Sequence, residues 1–176
     1  MVSVDGFFAG EDGNINWHNV DQEFNDFAEI QTAEFGTLIF GRVTYDLMAG
    51  YWPTTEVIKS DPIIARLMNG LPKVVFSKKL AKAEWNNTKL MGNINTDEIR
   101  KLKQSSEKPM AIFGSGQIVQ EFAKLGLIDE YRLMINPVIL GRGKPLFKEP
   151  MKLKLVNSRI FKSGNVLLTY EPKNNQ

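Results

Sequence analysis

The stretch MAIFGSGQIVQEFAKLGLIDE, residues Met110 to Glu130, decides how the rest of the chain is read. Ala111-Ile112-Phe113 is a short apolar run of strand character. Gly114-Ser115-Gly116 then breaks it, and Ile118, Val119 and Phe122 return at helical spacing before a stop at Gly126. A strand, a glycine turn and a helix in that order make half of a βαβ unit. Such a turn leaves backbone N–H groups pointing outward at the positive end of the helix, which suits a pyrophosphate. A tight turn with no ligand explains the glycines equally well. Two known fingerprints do not fit. Val119 stands where a Rossmann motif needs its third small residue, and no Gly-Lys-Ser/Thr follows to make a Walker A loop.

Two more turns share the design. Thr37-Leu38-Ile39-Phe40 reads as a buried strand, and Gly41-Arg42 opens a helix over Val43 to Ala49. Arg42 there can grip phosphate oxygens as a fork, where a lone turn would more commonly carry a solvated arginine. Lys73 to Phe76 is the next strand, and Ser77-Lys78-Lys79 follows it with a hydroxyl and two cations. Ligands of open α/β sheets gather beyond the carboxyl ends of strands. Two phosphate-type turns point to a ligand with two phosphates. The hydroxyl–lysine pair suits a ribose 2′-phosphate, hence NADPH over NADH, although two solvated lysines are an equal reading for Lys79.

The remaining chain alternates in the same way. Met1 to Phe8 reads as a first strand, with turn signals at Asp5-Gly6 and Asp12-Gly13. Phe24, Phe27 and Ile30 follow helical spacing from Val20 to Phe35, with Asp21 and Glu23 in the first turn. Asp61-Pro62 predicts a helix start with Asp61 as side-chain cap, running to Gly70. Lys89 to Met91 is a short strand candidate, Thr96 begins a charged helix, and Glu130 to Asn136 is a strand. A hairpin closes the chain: Leu153 to Phe161, a turn at Lys162-Ser163-Gly164-Asn165, and Val166 to Tyr170. The expectation is an α/β domain over residues 1–172, a mostly parallel sheet with antiparallel strands at its C-terminal end, and a frayed tail at 173–176.

Composition excludes several classes. In 176 residues there are 22 basic and 20 acidic side chains, a balance that does not suit a nucleic-acid or membrane-surface protein. The absence of cysteine removes disulfides, thiol nucleophiles and cysteine-ligated metals, and the single histidine, His18, argues against a zinc or iron centre. His18 beside Trp17 is expected as a satisfied surface histidine. No apolar run approaches the ~20 residues of a membrane span, so a cytoplasmic protein is expected.

Taken together, a set of motifs resembles a family. They are Ser3-Val4-Asp5-Gly6-Phe7-Phe8-Ala9-Gly10 with Asp12-Gly13, Gly41-Arg42-x-Thr44-Tyr45, Tyr51-Trp52-Pro53 and Val75-Phe76-Ser77. Gly114-Ser115-Gly116, Gly126-Leu127-Ile128-Asp129-Glu130-Tyr131 and Pro137-x-x-Leu140-Gly141-x-Gly143-x-Pro145-Leu146-Phe147 complete the set. The chain is similar to the dihydrofolate-reductase-like superfamily. More narrowly it resembles stand-alone relatives of the reductase domain of the bifunctional riboflavin-biosynthesis deaminase–reductase. Only Met1-Val2 precede the Ser-x-Asp-Gly stretch, where the resemblance implies several more apolar residues, so either a short first strand or a truncated start is expected.

The resemblance implies a twisted, mostly parallel central sheet, NADPH across the strand ends, and a homodimer. By that likeness Gly41, Arg42 and Tyr45 lie at the cofactor phosphates and ribose, and Ser77 with Lys78 takes the 2′-phosphate. Gly114, Ser115, Gly116, Gln117 and Ile118 wrap the pyrophosphate and nicotinamide side. Ser3 and Asp5-Gly6 sit beside the nicotinamide and substrate. The implied activity is that of an NADPH-dependent oxidoreductase delivering hydride to a carbonyl or imine carbon of a small polar substrate. Asp5 is the expected acid or substrate anchor, with Glu23 and Asp21 as weaker carboxylates. Dihydrofolate or pterin reduction, and a non-catalytic NADPH-binding homodimer, stand as alternatives.

Overall fold

Two runs of the chain are apolar on both faces, and they make the middle of a sheet. Thr37–Gly41 and Lys73–Phe76 are buried at nearly every position, the pattern of parallel strands covered on both sides. A computed structural model describes residues 1–173. In chain order the first half holds β1 (Phe7–Ala9), α1 (Gln22–Glu34), β2 (Thr37–Gly41), α2 (Arg42–Tyr51), α3 (Thr55–Ser60), α4 (Pro62–Gly70), β3 (Lys73–Phe76) and β4 (Thr88–Met91). There follow α5 (Thr96–Ser105), β5 (Met110–Ile112), α6 (Gly116–Lys124), β6 (Tyr131–Ile135), β7 (Lys144–Pro145), β8 (Leu153–Ile160) and β9 (Val166–Pro172). The chain divides into two compact units, Asp26–Ile118, and Met1–Asn25 with the chain from Val119 onward.

The Asp26–Ile118 unit is built on a four-stranded parallel sheet in the order β4-β3-β2-β5. Phe35, Leu38, Phe40, Tyr45, Met68, Val75 and Trp85 form its core. At the centre lies a buried cation. Lys73 is 1% exposed, and its Nζ donates to the carbonyls of Asn69 (3.1 Å), Leu71 (2.7 Å) and Asn86 (3.1 Å) while sitting 4.4 Å above the Trp85 ring. Three acceptors match the three ammonium protons, which is what lets a charge stay in a core without a carboxylate. Desolvation still pushes its pKa down to about 8. Trp85 is tied in as well, through Nε1–H to Asn69 Oδ1 (2.8 Å) and N–H to the Tyr45 hydroxyl (2.9 Å).

The other unit carries an antiparallel sheet, β6-β9-β8, and a two-stranded pair, β1-β7. The hairpin turns where expected: Gly164, at φ +87°, donates to the Phe161 carbonyl, and Phe161 to that of Asn165. Asn165 and Asn136, both fully buried, tie the region to Asn19. Asn165 Nδ2 donates to the Asn19 carbonyl (2.7 Å), and the Asn19 N–H to Asn136 Oδ1 (2.7 Å).

Several expectations change in detail. The strand read over Met1 to Phe8 is interrupted: Val2 makes a single parallel bridge to Ile135, a turn follows at Ser3 to Gly6, and β1 begins only at Phe7. Asp61 does not cap α4 with its side chain, since its carboxylate accepts from Ser60 Oγ (2.9 Å). The helix does begin at Thr96 as expected, and Asn95 caps it, its Oδ1 accepting from Glu98 N–H (3.0 Å). Of the expected tail, Lys173 donates its N–H to the Lys152 carbonyl (2.9 Å), and residues 174–176 lie outside the described residues.

Candidate functional site

Parallel pairing fixes which loops are neighbours. Gly41 ends β2 opposite Phe76 at the end of β3, and Ile39 pairs with Ile112 of β5. The Phe113 N–H then continues the ladder to the Ile39 carbonyl (3.1 Å). Three turns, Gly41-Arg42, Ser77-Lys78-Lys79 and Gly114-Ser115-Gly116, therefore leave the same edge of one sheet, beyond the carboxyl ends of its strands.

Two of them are in direct contact. Ser115 Oγ accepts from the Gly41 N–H (2.6 Å) and donates to Thr44 Oγ1 (2.9 Å). The approach is tight: a Cβ on Gly41 would sit 3.1 Å from Ile118 Cγ1 and 3.2 Å from Ser115 Oγ, and one on Gly114 3.1 Å from Thr44 Cγ2, so these neighbours would have to shift to accept one. Gly114 and Ser115 both occupy the left-handed region, at φ +59° and +60°. A left-handed residue followed by the helical Gly116 turns successive N–H groups toward one side, a concavity suited to an anion. Alongside it, no side chain caps the first turn of α2, so its positive end stays open.

The cations flank this edge. Arg42 Nη1 is held 2.8 Å from Asp46 Oδ2, with both side chains about two-fifths exposed (42% and 44%). Ser77 Oγ accepts from the N–H groups of Lys79 (3.1 Å) and Leu80 (2.9 Å), which folds the loop back and leaves Lys78 and Lys79 exposed. Gln117 is exposed at the start of α6, while Ile118 is buried against Gly41. Tyr45 stands apart from these. It is 4% exposed, and its ring belongs to the core beneath the turns. A separate open groove of about 770 Å³ runs between α2 and residues 80–86, and Tyr45 alone of the expected site residues borders it.

Ser3, Asp5 and Glu23 belong to the other unit, where each has a conformational task. Ser3 is fully buried, and its Oγ accepts from the Phe7 N–H (3.0 Å). Asp5 accepts from the N–H groups of Gly141 (2.7 Å) and Leu140 (3.2 Å), pinning the loop before β7. A hydrogen bond from Ser3, then those from Gly141 and Leu140, hold its pKa below the usual carboxylate value. Glu23 accepts from Lys162 N–H (2.9 Å) and Arg159 Nη2 (3.1 Å), which lower its pKa in turn. A proton donor needs the opposite shift. Both groups are acceptors. His18 differs from the satisfied surface residue expected of it: its Nε2 is buried without a partner, and desolvation pushes its pKa down to about 4.

Sequence reasoning passed over Thr44 and Asp46 as site residues. Thr44 stood inside the quoted Gly-Arg-x-Thr-Tyr motif, and Asp46 lies four residues after Arg42 on the same helix face, a spacing that pairs side chains. Among the described residues no group of three metal-ligating side chains occurs, and no helix is long and apolar enough to cross a membrane.

Known proteins share this architecture. Two uncharacterized proteins of Bacillus subtilis strain 168 are similar in sequence. YyaP is 36% identical over 175 residues, covering 96% of this chain and 90% of the relative. YwjB is 30% identical over 174 residues, covering 91% and 88%. Among solved structures, a candidate riboflavin-biosynthesis protein from Shewanella sp. PV-4 superposes with a TM-score of 0.73 at 25% identity, covering 98% of this chain and 96% of that one. The Thermotoga maritima diaminohydroxyphosphoribosylaminopyrimidine deaminase/5-amino-6-(5-phosphoribosylamino)uracil reductase matches with a TM-score of 0.66 at 15% identity. This chain covers 54% of its length. Residues 1–167 match the family model of the RibD C-terminal domain, and the chain belongs to that reductase-like family.

Proposed function

We propose that the protein is an NADPH-dependent reductase of the riboflavin-biosynthesis type, reducing a carbonyl or imine carbon of a small polar substrate. A ribosylamino-pyrimidine like that named for the Thermotoga maritima protein is the leading candidate. The observation that carries the reading is the meeting of three strand-end turns at one edge of the parallel sheet, two of them joined by the Ser115 hydroxyl. The donor set fits a phosphorylated dinucleotide: an uncapped helix start, a concave run of N–H groups, Arg42, Ser77 and Lys78.

Bound NADPH supplies the hydride, while a proton reaches the substrate heteroatom. The chain's own part is orientation. The open first turn of α2 from Arg42 and the turn at Gly114 to Gln117 would hold the pyrophosphate through backbone N–H groups, and Arg42 would exchange Asp46 for a phosphate oxygen. Lys78 and the Ser77 loop hold the 2′-phosphate. Asp5 and Glu23 stay ionised and keep their loops in shape, so the proton comes from elsewhere, with solvent the simplest source. That same commitment favours a second reading, a non-catalytic NADPH-binding protein. The family's homodimer is part of the proposal, supported by Leu155, Val156 and Ile160, left exposed along β8.

Titration with NADPH, followed by tryptophan fluorescence, tests the reading; no saturation up to roughly 100 μM ends it. NADPH oxidation with pyrimidine-sugar and pterin substrates then separates the enzyme from the non-catalytic binder.

A further inference from the structure

We propose that Ser115 is a positioning residue whose hydroxyl holds two anion-binding turns in register for the pyrophosphate of a dinucleotide. The proposal rests on the NADPH reading and assigns this side chain a task other than touching the ligand.

The starting point is an outlier. Ser115 holds φ +60° between two glycines. A third glycine would adopt that conformation without strain, so the serine is there for its side chain. The hydroxyl's one proton and one of its two lone pairs are engaged. Its oxygen accepts from the Gly41 N–H at 2.6 Å, and its hydrogen goes to Thr44 Oγ1 at 2.9 Å. Gly41 immediately precedes α2, Thr44 lies in the first turn of that helix, and Ser115 immediately precedes α6. One hydroxyl therefore fixes the start of one helix against the start of the other. The contact is close enough that a Cβ on Gly41 would press on Ser115 and Ile118 at 3.1–3.3 Å, and those side chains would have to give way.

A phosphate pair bound by both turns needs their N–H groups at a set separation, and small displacements weaken such cradles steeply. The ligand-facing groups are then the backbone amides, with Ser115 acting through them. Thr44, in the first turn of α2, is its partner through Oγ1.

The test compares Ser115→Gly, which removes the hydroxyl and relieves the strain, with Thr44→Val and the conservative Thr44→Ser. Calorimetry would use NADPH, ADP and adenosine 2′-monophosphate, with melting temperatures beside it. The proposal expects Ser115→Gly and Thr44→Val to weaken NADPH and ADP by about ten-fold or more. Adenosine 2′-monophosphate, which lacks the diphosphate, should bind as in the parent, Thr44→Ser should restore affinity, and Ser115→Gly should melt within about 3 °C of the parent. Unchanged NADPH and ADP affinity in Ser115→Gly overturns the proposal while leaving the NADPH reading intact. Equal loss of all three ligands, together with a large fall in melting temperature, overturns it in favour of a purely structural role. A parent protein that binds neither NADPH nor ADP overturns the functional reading itself.

Discussion

Arg42 illustrates how much one side chain's meaning depends on its neighbour. Read alone it is a cation at a helix start, where the dipole disfavours it. The carboxylate of Asp46 at 2.8 Å holds it there, in an exposed pair of small intrinsic strength. If it moves to a phosphate, Arg42→Ala should weaken NADPH binding by roughly 1–3 kcal/mol, the range for a charged hydrogen bond. An unchanged dissociation constant would remove Arg42 from the site. His18 makes a different prediction. Its folded pKa of about 4 lies below the ordinary histidine value of 6.5, so between those values the unfolded chain binds the extra proton. Stability should therefore be full above pH 6.5 and fall as pH drops toward 4. Urea unfolding across that window checks it, and His18→Gln should flatten the slope. The lone histidine was visible in the sequence. That its Nε2 would be buried without a partner was not, because long-range packing decides it.

Secondary structure was legible wherever a periodic apolar pattern ran long enough. Both hairpin strands, the four parallel strands and the longer helices lie close to where alternation and helical spacing put them. The misses have physical reasons. β7 is two residues long and carries no pattern, and α3, six residues, begins only after the cap at Thr54. Cap identity was the weakest reading, because a cap is a matter of geometry and several acceptors often crowd a helix start. Asn95 and Asp61 now give a clean contrast. Asn95→Ala should lower stability by about 1 kcal/mol, the worth of a working cap. Asp61→Ala should lower it by less, since no α4 amide depends on its carboxylate. Chemical denaturation of the two variants reads the difference directly. At the candidate site, the turns were legible as strand–glycine–helix junctions. Their joining through Ser115 and Thr44 was not, because those residues lie 71 positions apart and only strand order brings them together.

Across the whole molecule, charge and burial set the behaviour expected in solution. Asp5 and Glu23 both have folded pKa values below the ordinary carboxylate values of 3.8 and 4.5. Their contribution is fully present above those values and is lost as pH falls below them, through the folded pKa values. With His18 already weakening the fold from pH 6.5 downward, the acid limb should be broad, and Glu23→Gln should trim its lower end. The exposed apolar side chains of β8 bear on assembly, and light scattering should give twice the chain mass if a second copy covers them. Lys73 carries one more consequence. Amine-reactive labels reach surface lysines within minutes, but an ammonium enclosed by three carbonyls and an indole reacts only when the protein opens. Mass spectrometry of that single adduct would clock the opening without a probe being introduced, and a bound nucleotide should slow the clock.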